Sequence, residues 1–436
     1  MRKWLVSVIV LVLVLGLGLA EARTTITMWH TWGAGTQRDK VVRTIVEAFE
    51  KAHPDIKVDV VPNTGANSAE ARQKYMVAAA AGVPPDVAIL GGLDLEWIEN
   101  GLIQPLTSFF KRDGLDKNYF FPGTWEAMSY NGDQWAPPVS LELTTQMMAI
   151  NIDMFSEAGL DANQPPETVY DLETANRKLT IIDDSGKIKR VGMFPFSIYG
   201  EWNAFNQWAA RFGAVFAVET PNGPRWNINT PETRAALNWL NNWYQNVGHG
   251  NYQSTDVYRM RNNTSAQLAY GASAMVLWLN GYNQGMTNYE RPVNYRVVWL
   301  PYHPSINKTD GIRVSGGFGL TMSAATKYPE AAWEFIKFWI QSDEVAMIWG
   351  VDMGELTIKR NNPYMRVMLE NREHYGTFVE YTAFAQGPLP SVPGYSVLTS
   401  TTTSLLQQVY QGRMSPAVAL ETIQERMDAE VEAYYK

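Results

Sequence analysis

Glu142, Glu201 and Glu355 are the side chains of this sequence best suited to chemistry of their own. Cleaving a glycosidic bond needs only two carboxyl groups at a set separation, and carboxylates scattered along a chain leave that reaction open. Carboxylates that accept hydrogen bonds from a ligand's hydroxyls, or that lie on the surface, fit the same pattern with no reaction at all. The sequence holds no G-x-S-x-G elbow, no P-loop, no dinucleotide fingerprint and no zincin motif. Its five histidines, at 30, 53, 249, 303 and 374, lack metal-ligand spacing, so neither a metal nor a cofactor is expected. What stands out is sixteen tryptophans against no cysteine. Indole rings suit flat ligands with apolar faces, and sugars are the commonest such ligands outside the cytoplasm.

A sugar makes two demands. Its C–H faces pack on aromatic rings, and its hydroxyls need partners, because a buried unpaired one costs ~1–3 kcal/mol. Trp202 is the leading ring, with Glu201 beside it as acceptor. Phe205, Trp208 and Phe212 recur at helical spacing on the same run, which would equally suit Trp202 to core packing; Trp208 is expected in the core. Trp239 and Trp243, at i and i+4, read as core. His30 and Trp32 follow the first expected strand. Trp278, Asn280 and Tyr282 share one face by period-two alternation. Ser315, Gly316 and Gly317 offer backbone amides, and Tyr395 follows Pro393-Gly394.

Elements must position these residues. Thr25 to Trp29 reads as a strand, and Thr36 with Asp39 caps a helix carrying Val41, Val42, Ile45, Val46 and Phe49. His53-Pro54 ends it. Ile56, Val58 and Val60 alternate with charges as a second strand, and a helix from Ser68 stops at Gly82 before the strand Val87 to Leu90. This β-α-β-α-β order implies a parallel sheet, with ligands bound beyond the strands' carboxyl ends. Further on, helices are expected over 151–160, 168–179 and 199–216, from Pro329 and after Ser415-Pro416. Strands are expected over 274–279, 296–301 and 318–322.

The first 22 residues read as an export signal: Arg2 and Lys3, an apolar run from Leu5 to Leu19, then Ala20-Glu21-Ala22 as cleavage site. That run is shorter than the ~20 residues a membrane span needs. Without cysteine the mature chain has neither lipid anchor nor disulfide. A formal charge of −8 with no cationic stripe argues against nucleic acid and anionic membranes as partners. At 436 residues, two or three domains are expected.

Several blocks resemble one family. They are Phe49-Glu50-Lys51-Ala52-His53-Pro54-Asp55-Ile56, Ala78 to Val87, Gly101-Leu102-Ile103-Gln104-Pro105-Leu106, Asn151 to Leu160, Ala274-Met275, and Pro329-Glu330-Ala331-Ala332-Trp333-Glu334-Phe335. In this order they are similar to the solute-binding proteins of carbohydrate ABC transporters, to which maltose-binding protein belongs. The resemblance implies an α/β fold of two lobes, 23–145 with 313–362 and 146–312 with 363–436, closing by a hinge on a cleft. Crossings between lobes are expected near 142–150, 311–316 and 361–364. It also implies no reaction, a membrane permease as partner, and a monomer.

The resemblance adds Asp94, after Gly91-Gly92, as an acidic contact beyond the third strand. It also places Glu142 on the first crossing. The helix that Trp202 opens resembles one that carries a stacking aromatic in this family, so Trp202 is expected on the ligand side. The family places another stacking ring after the Ala274-Met275 strand, so one of Trp278 and Tyr282 is expected at the ligand. A phosphorylated polyol would want Arg or Lys in the cleft, and a polyamine several carboxylates around rings. The candidate set has no cation, so a neutral di- or oligosaccharide is expected.

Overall fold

The computed structural model describes residues 23–436 except 63–67, 141, 144–146, 197–199, 248–259, 261–262, 280–285, 287–288, 290–292, 316, 357, 360–361 and 372–373. The export signal, Asn280, Tyr282, Gly316 and the start of the third crossing therefore lie outside the described residues.

Thr24–His30 forms β1. Thr36 accepts the amide of Asp39 and opens α1, Gln37–Ala52, which buries Val42, Ile45, Val46 and Phe49. β2, Ile56–Pro62, buries Ile56 and Val58 and exposes Lys57 and Asp59. α2 spans Ser68–Ala80, Gly82 then takes φ 74°, and β3 spans Val87–Gly91. Two short crossing strands follow the same logic of local signals less clearly: β4 is only Glu142–Leu143, and β5 is Met147–Asn151. A capping box of Thr168 and Asp171 opens α3, Val169–Leu179, followed by β6, Ile181–Ile182, and β7, Ile188–Phe194.

α4 covers Glu201–Arg211, shorter than the 199–216 the sequence suggests. Gly213 at φ 93° ends it, and Ala217–Val218 leaves to pair with Arg225–Trp226. β8 is Ser273–Trp278, β9 Tyr295–Val298, β10 Val314–Ser315 and β11 Phe318–Met322. The main helices after β11 are α5 Pro329–Gln341, α6 Met365–Asn371, α7 Tyr375–Thr382, α8 Tyr395–Tyr410 and α9 Pro416–Tyr434.

The first sheet has the order β11-β3-β1-β2. β1 is parallel to β2 and β3, as the alternating elements imply, and β11 adds an antiparallel edge. Its core joins Ile26, Met28, Val42, Phe49, Val87 and Ile89 to Trp333, Phe335 and Ile336 of α5. The second sheet, β9-β5-β8-β7-β6, is mixed and covered on both faces. Met148, Ile150, Met275 and Leu277 face α3, α4, α8 and α9, whereas Met147, Ala149, Val276 and Trp278 face α6 and α7. Each such side chain, fully buried, contributes roughly 1.5–3 kcal/mol. Between the sheets β4 and β10 lie side by side, Val314 opposite Leu143 and Ser315 opposite Glu142.

Candidate functional site

Two sheet edges flank the paired strands β4 and β10. On the first sheet the carboxyl ends of β1 and β3 meet the start of β11, because Phe318 pairs with Gly91. Gly92 (φ 72°) donates its N–H to the carbonyl of Gly317 (φ 52°) at 2.6 Å, a turn that only glycine adopts without strain. On the second sheet Trp278 pairs with Met147, and β7 runs parallel to β8. The carboxyl ends of β7 and β8, with the start of α4, therefore lie on the side where the chain arrives from β4.

The first edge has an aromatic floor. Trp32, 9% exposed, packs edge-on to Phe318 with centroids 5.1 Å apart and lies 5.5 Å from Trp349. The guanidinium of Arg38 sits 5.5 Å above the Trp32 ring and 5.6 Å from Phe318, and pairs with the carboxylate of Glu355. Trp32 thus stands at the end of β1, but it belongs to the margin of the first sheet's core, with Arg38 over its ring. Glu355 is 2% exposed. Removing Arg38, itself partly exposed, would leave the buried Glu355 carboxylate without this cation, which is costly.

A second guanidinium flanks β3. Arg72 donates to Oδ2 of Asp94 at 3.0 Å and to the carbonyl of Gly91. Asp94 Oδ1 accepts the amide of Glu96 at 3.1 Å, capping the short helix Leu95–Glu99. The expected absence of cations from the site is thereby corrected: α1 and α2 each bring an arginine to this edge, and each is neutralised by an acid. Nothing in the sequence pairs Arg38 with Glu355, which lie 317 residues apart. Arg72 and Asp94 are 22 apart on neighbouring elements, and a βαβ reading could have joined them.

His30 is not exposed to the cleft. It is fully buried, with Nε2 3.0 Å from Asp39 Oδ1 and Nδ1 accepting the amide of Trp32 at 3.3 Å. The reason is local: α1 folds back over β1 and sets Asp39 against the imidazole. Burial pulls the His30 pKa below its ordinary value, against the opposing influence of Asp39. Burial works to raise Asp39, yet the Gly35 amide, Arg43 and His30 together leave it lowered.

Two expected rings of the second lobe also lie in cores. Trp202 is 3% exposed, 5.1 Å from Phe216 and edge-on to it, and its indole N–H has no partner among the described residues. α4 is buried nearly all round, so its first aromatic is covered as fully as Trp208. Trp278 is fully buried beneath α6 and α7 beside Tyr295, because both faces of β8 are covered.

Glu201, in the first turn of α4, stays partly exposed and accepts from Gln407 Nε2 of α8 at 3.0 Å. Tyr395 opens α8, is 52% exposed and lies 6.4 Å from Trp226. Twelve residues separate it from Gln407, about 18 Å of helix. Glu201 and Tyr395 therefore can share a ligand only if it is extended. Sequence reading passed over the cluster of Phe196, Tyr244 and Tyr410 near this edge, where Tyr244 and Tyr410 stack at 5.4 Å. Three distant segments build it, and no local pattern marks it. Among the described residues no three His, Asp or Glu side chains gather as for a metal, and no helix is long and apolar enough to cross a membrane.

These features agree with known proteins. An sn-glycerol-3-phosphate-binding periplasmic protein of Salmonella paratyphi A is 25% identical over 435 residues, covering 93% of this chain and 92% of that one. A maltotriose-binding protein of Pyrococcus abyssi is 23% identical over 338 residues, 76% of this chain and 66% of the relative. An ABC substrate-binding protein of Listeria monocytogenes, solved in complex with cycloalternan, superposes with a TM-score of 0.74 at 23% identity, covering 93% of this chain and 98% of its own. The fold is thus the two-lobed α/β fold of periplasmic binding proteins. Residues 33–346 match the bacterial extracellular solute-binding proteins, and the chain belongs to that family.

Proposed function

We propose that this protein is the extracytoplasmic binding component of a carbohydrate ABC importer. It captures a neutral di- or oligosaccharide between its lobes, closes on it by a hinge and presents it to a membrane permease. What supports this reading is the pairing of β4 with β10 where the chain passes between the two sheets, with Trp32 against Phe318 at the end of the first sheet and the partly exposed Glu201 beyond the end of the second. Rings pack against C–H faces, and the carboxylates and amides around them suit hydroxyls. The maltotriose and cycloalternan of two relatives support a sugar. Lobe boundaries at 145/146, 312/313 and 362/363 fit the sheets, and a monomer delivered past the membrane by its cleaved signal fits the family.

Binding without reaction is the companion proposal. Glu355 is sealed against Arg38 and Glu201 is held by Gln407, which suits recognition better than an acid–nucleophile pair. A phosphorylated polyol is the second reading, favoured by the glycerol-3-phosphate-binding relative and by Arg38 and Arg72 at one edge. Each arginine is already paired with a carboxylate, which leaves the edge without net positive charge and favours the neutral sugar.

A thermal-shift screen decides between them. Ligand at 100 times its dissociation constant adds about 2.7 kcal/mol of stability. Maltotriose or another oligosaccharide should raise the melting temperature and be recovered intact. A shift with sn-glycerol 3-phosphate alone would establish the second reading, and shortened sugars would establish hydrolysis.

A further inference from the structure

We propose that His30 is a positioning residue: its neutral imidazole holds the Trp32 loop in the geometry the ligand meets, and its protonation releases that loop. The proposal rests on the reading of the Trp32 edge as a ligand surface.

The loop between β1 and α1 is fastened at two points, and both lead to one dyad. Trp32 donates its amide to Nδ1 of His30 at 3.3 Å, and Gly35 donates its amide to Oδ2 of Asp39 at 2.8 Å. The imidazole and the carboxylate are joined at 3.0 Å through Nε2 and Oδ1. Since Nδ1 accepts from Trp32, the single proton of the neutral ring lies on Nε2 and is donated to Asp39. Within the loop, Thr36 also donates its hydroxyl and amide to the carbonyl of Gly33. His30 and Trp32 are buried, so water does not readily replace the bond between them; Gly35, at the second contact, is exposed. Trp32 in turn seats Phe318, Trp349 and the guanidinium of Arg38.

Protonation places a second N–H on Nδ1, facing the N–H of Trp32. Two donors cannot bond, so the Trp32 amide must turn away and take its ring with it. The charged groups facing His30 are Asp39 and Arg43, both from α1. Asp39 favours the imidazolium, Arg43 and burial oppose it, and the balance lies below the ordinary histidine value. The switch therefore operates on the acid side of neutrality.

Two substitutions separate positioning from packing. Asn places its amide oxygen where Nδ1 stands and does not titrate. Gln reaches toward Asp39 but leaves Trp32 without its acceptor. Maltotriose affinity of the wild type should fall about three- to tenfold as pH is lowered through the titration of His30, the worth of one hydrogen bond. H30N should keep most of the neutral-pH affinity with a flat pH profile, and H30Q should be weakened at every pH. Equal affinities of H30N and H30Q would overturn the proposal. A readout without sugar stands apart from the functional reading: the Trp32 backbone amide in ¹⁵N-tryptophan-labelled protein, assigned by its loss in W32F. Its resonance should titrate together with the His30 ring and with a midpoint below 6.5. A Trp32 amide indifferent to His30 titration refutes the positioning role, whether or not maltotriose binds.

Discussion

Replacing Trp202 by phenylalanine and by alanine should move stability in different directions. The ring lies 5.1 Å from Phe216 and 6.4 Å from Phe205, within the main core of the second lobe. Truncation to alanine removes nearly a whole aromatic from that core, a change that costs about 3–5 kcal/mol. Phenylalanine keeps most of the contacts and leaves a void of roughly 40 Å³, worth about 1 kcal/mol at about 24 cal/mol per Å³. It also deletes the buried indole N–H, which lacks a partner among the described residues. Such an orphan donor costs about 1–3 kcal/mol. The sum for Trp202→Phe lies between neutral and about 2 kcal/mol stabilising, set against the large loss in Trp202→Ala. Urea unfolding followed by circular dichroism measures both, with the linear slope checked for change between variants. An alanine variant as stable as wild type would mean the ring is not part of the core. A phenylalanine variant destabilised by more than about 1 kcal/mol would mean that the N–H has a partner after all.

Two further outcomes follow from single contacts. Asp113 accepts the indole N–H of Trp333 at 2.7 Å, and this bond, with Arg112 and then Lys337, lowers its pKa to about 2. A carboxyl depressed below its unfolded value of about 3.9 stabilises the fold above that value, and loses the contribution as pH falls through about 2. Urea midpoints of wild type should therefore drop more steeply than those of Asp113→Asn between pH 4 and 2, and parallel curves would refute the assignment. Gly311 has φ 75°, and a Cβ there would collide with the carbonyl group of Ala210 in α4. Neither backbone can yield, because Arg211 also clamps this loop through the carbonyls of Lys308 (2.8 Å) and Asp310 (2.5 Å). Gly311→Ala should cost several kcal/mol by strain and clash together, and a wild-type melt would contradict the packing of α4 on the second crossing.

Much of the fold was legible because its signals are local. Thr36 with Asp39, Thr168 with Asp171, Pro329 and Ser415-Pro416 mark helix starts by capping, and the structure opens helices at each. The alternation of Ile56 and Val58 with Lys57 and Asp59 works because β2 is an edge strand with one face in water. The same rule fails for Trp278: β8 is the central strand of a sheet covered on both sides, and all six of its residues are buried. For Trp202 the helical spacing it shares with Phe205, Trp208 and Phe212 points to the core, where the structure has it; eight of the eleven residues of α4 are buried and the helix has little polar face. His30 does end the parallel strand β1, but its imidazole is buried. What hides it is Asp39, nine residues on, brought back by the turn into α1. The arginines of the site escaped notice because their acids lie on other elements, and only the folded chain brings Arg38 to Glu355.

The central claim is that the two lobes capture a neutral sugar. Isothermal titration of the whole chain with maltotriose and, separately, with sn-glycerol 3-phosphate tests it most directly. The account predicts saturable one-to-one binding of the oligosaccharide, with a negative heat-capacity change from burial of the ring faces, and no saturable heat from the phosphate. Tight binding of sn-glycerol 3-phosphate with none of maltotriose or any longer or branched oligosaccharide would contradict it.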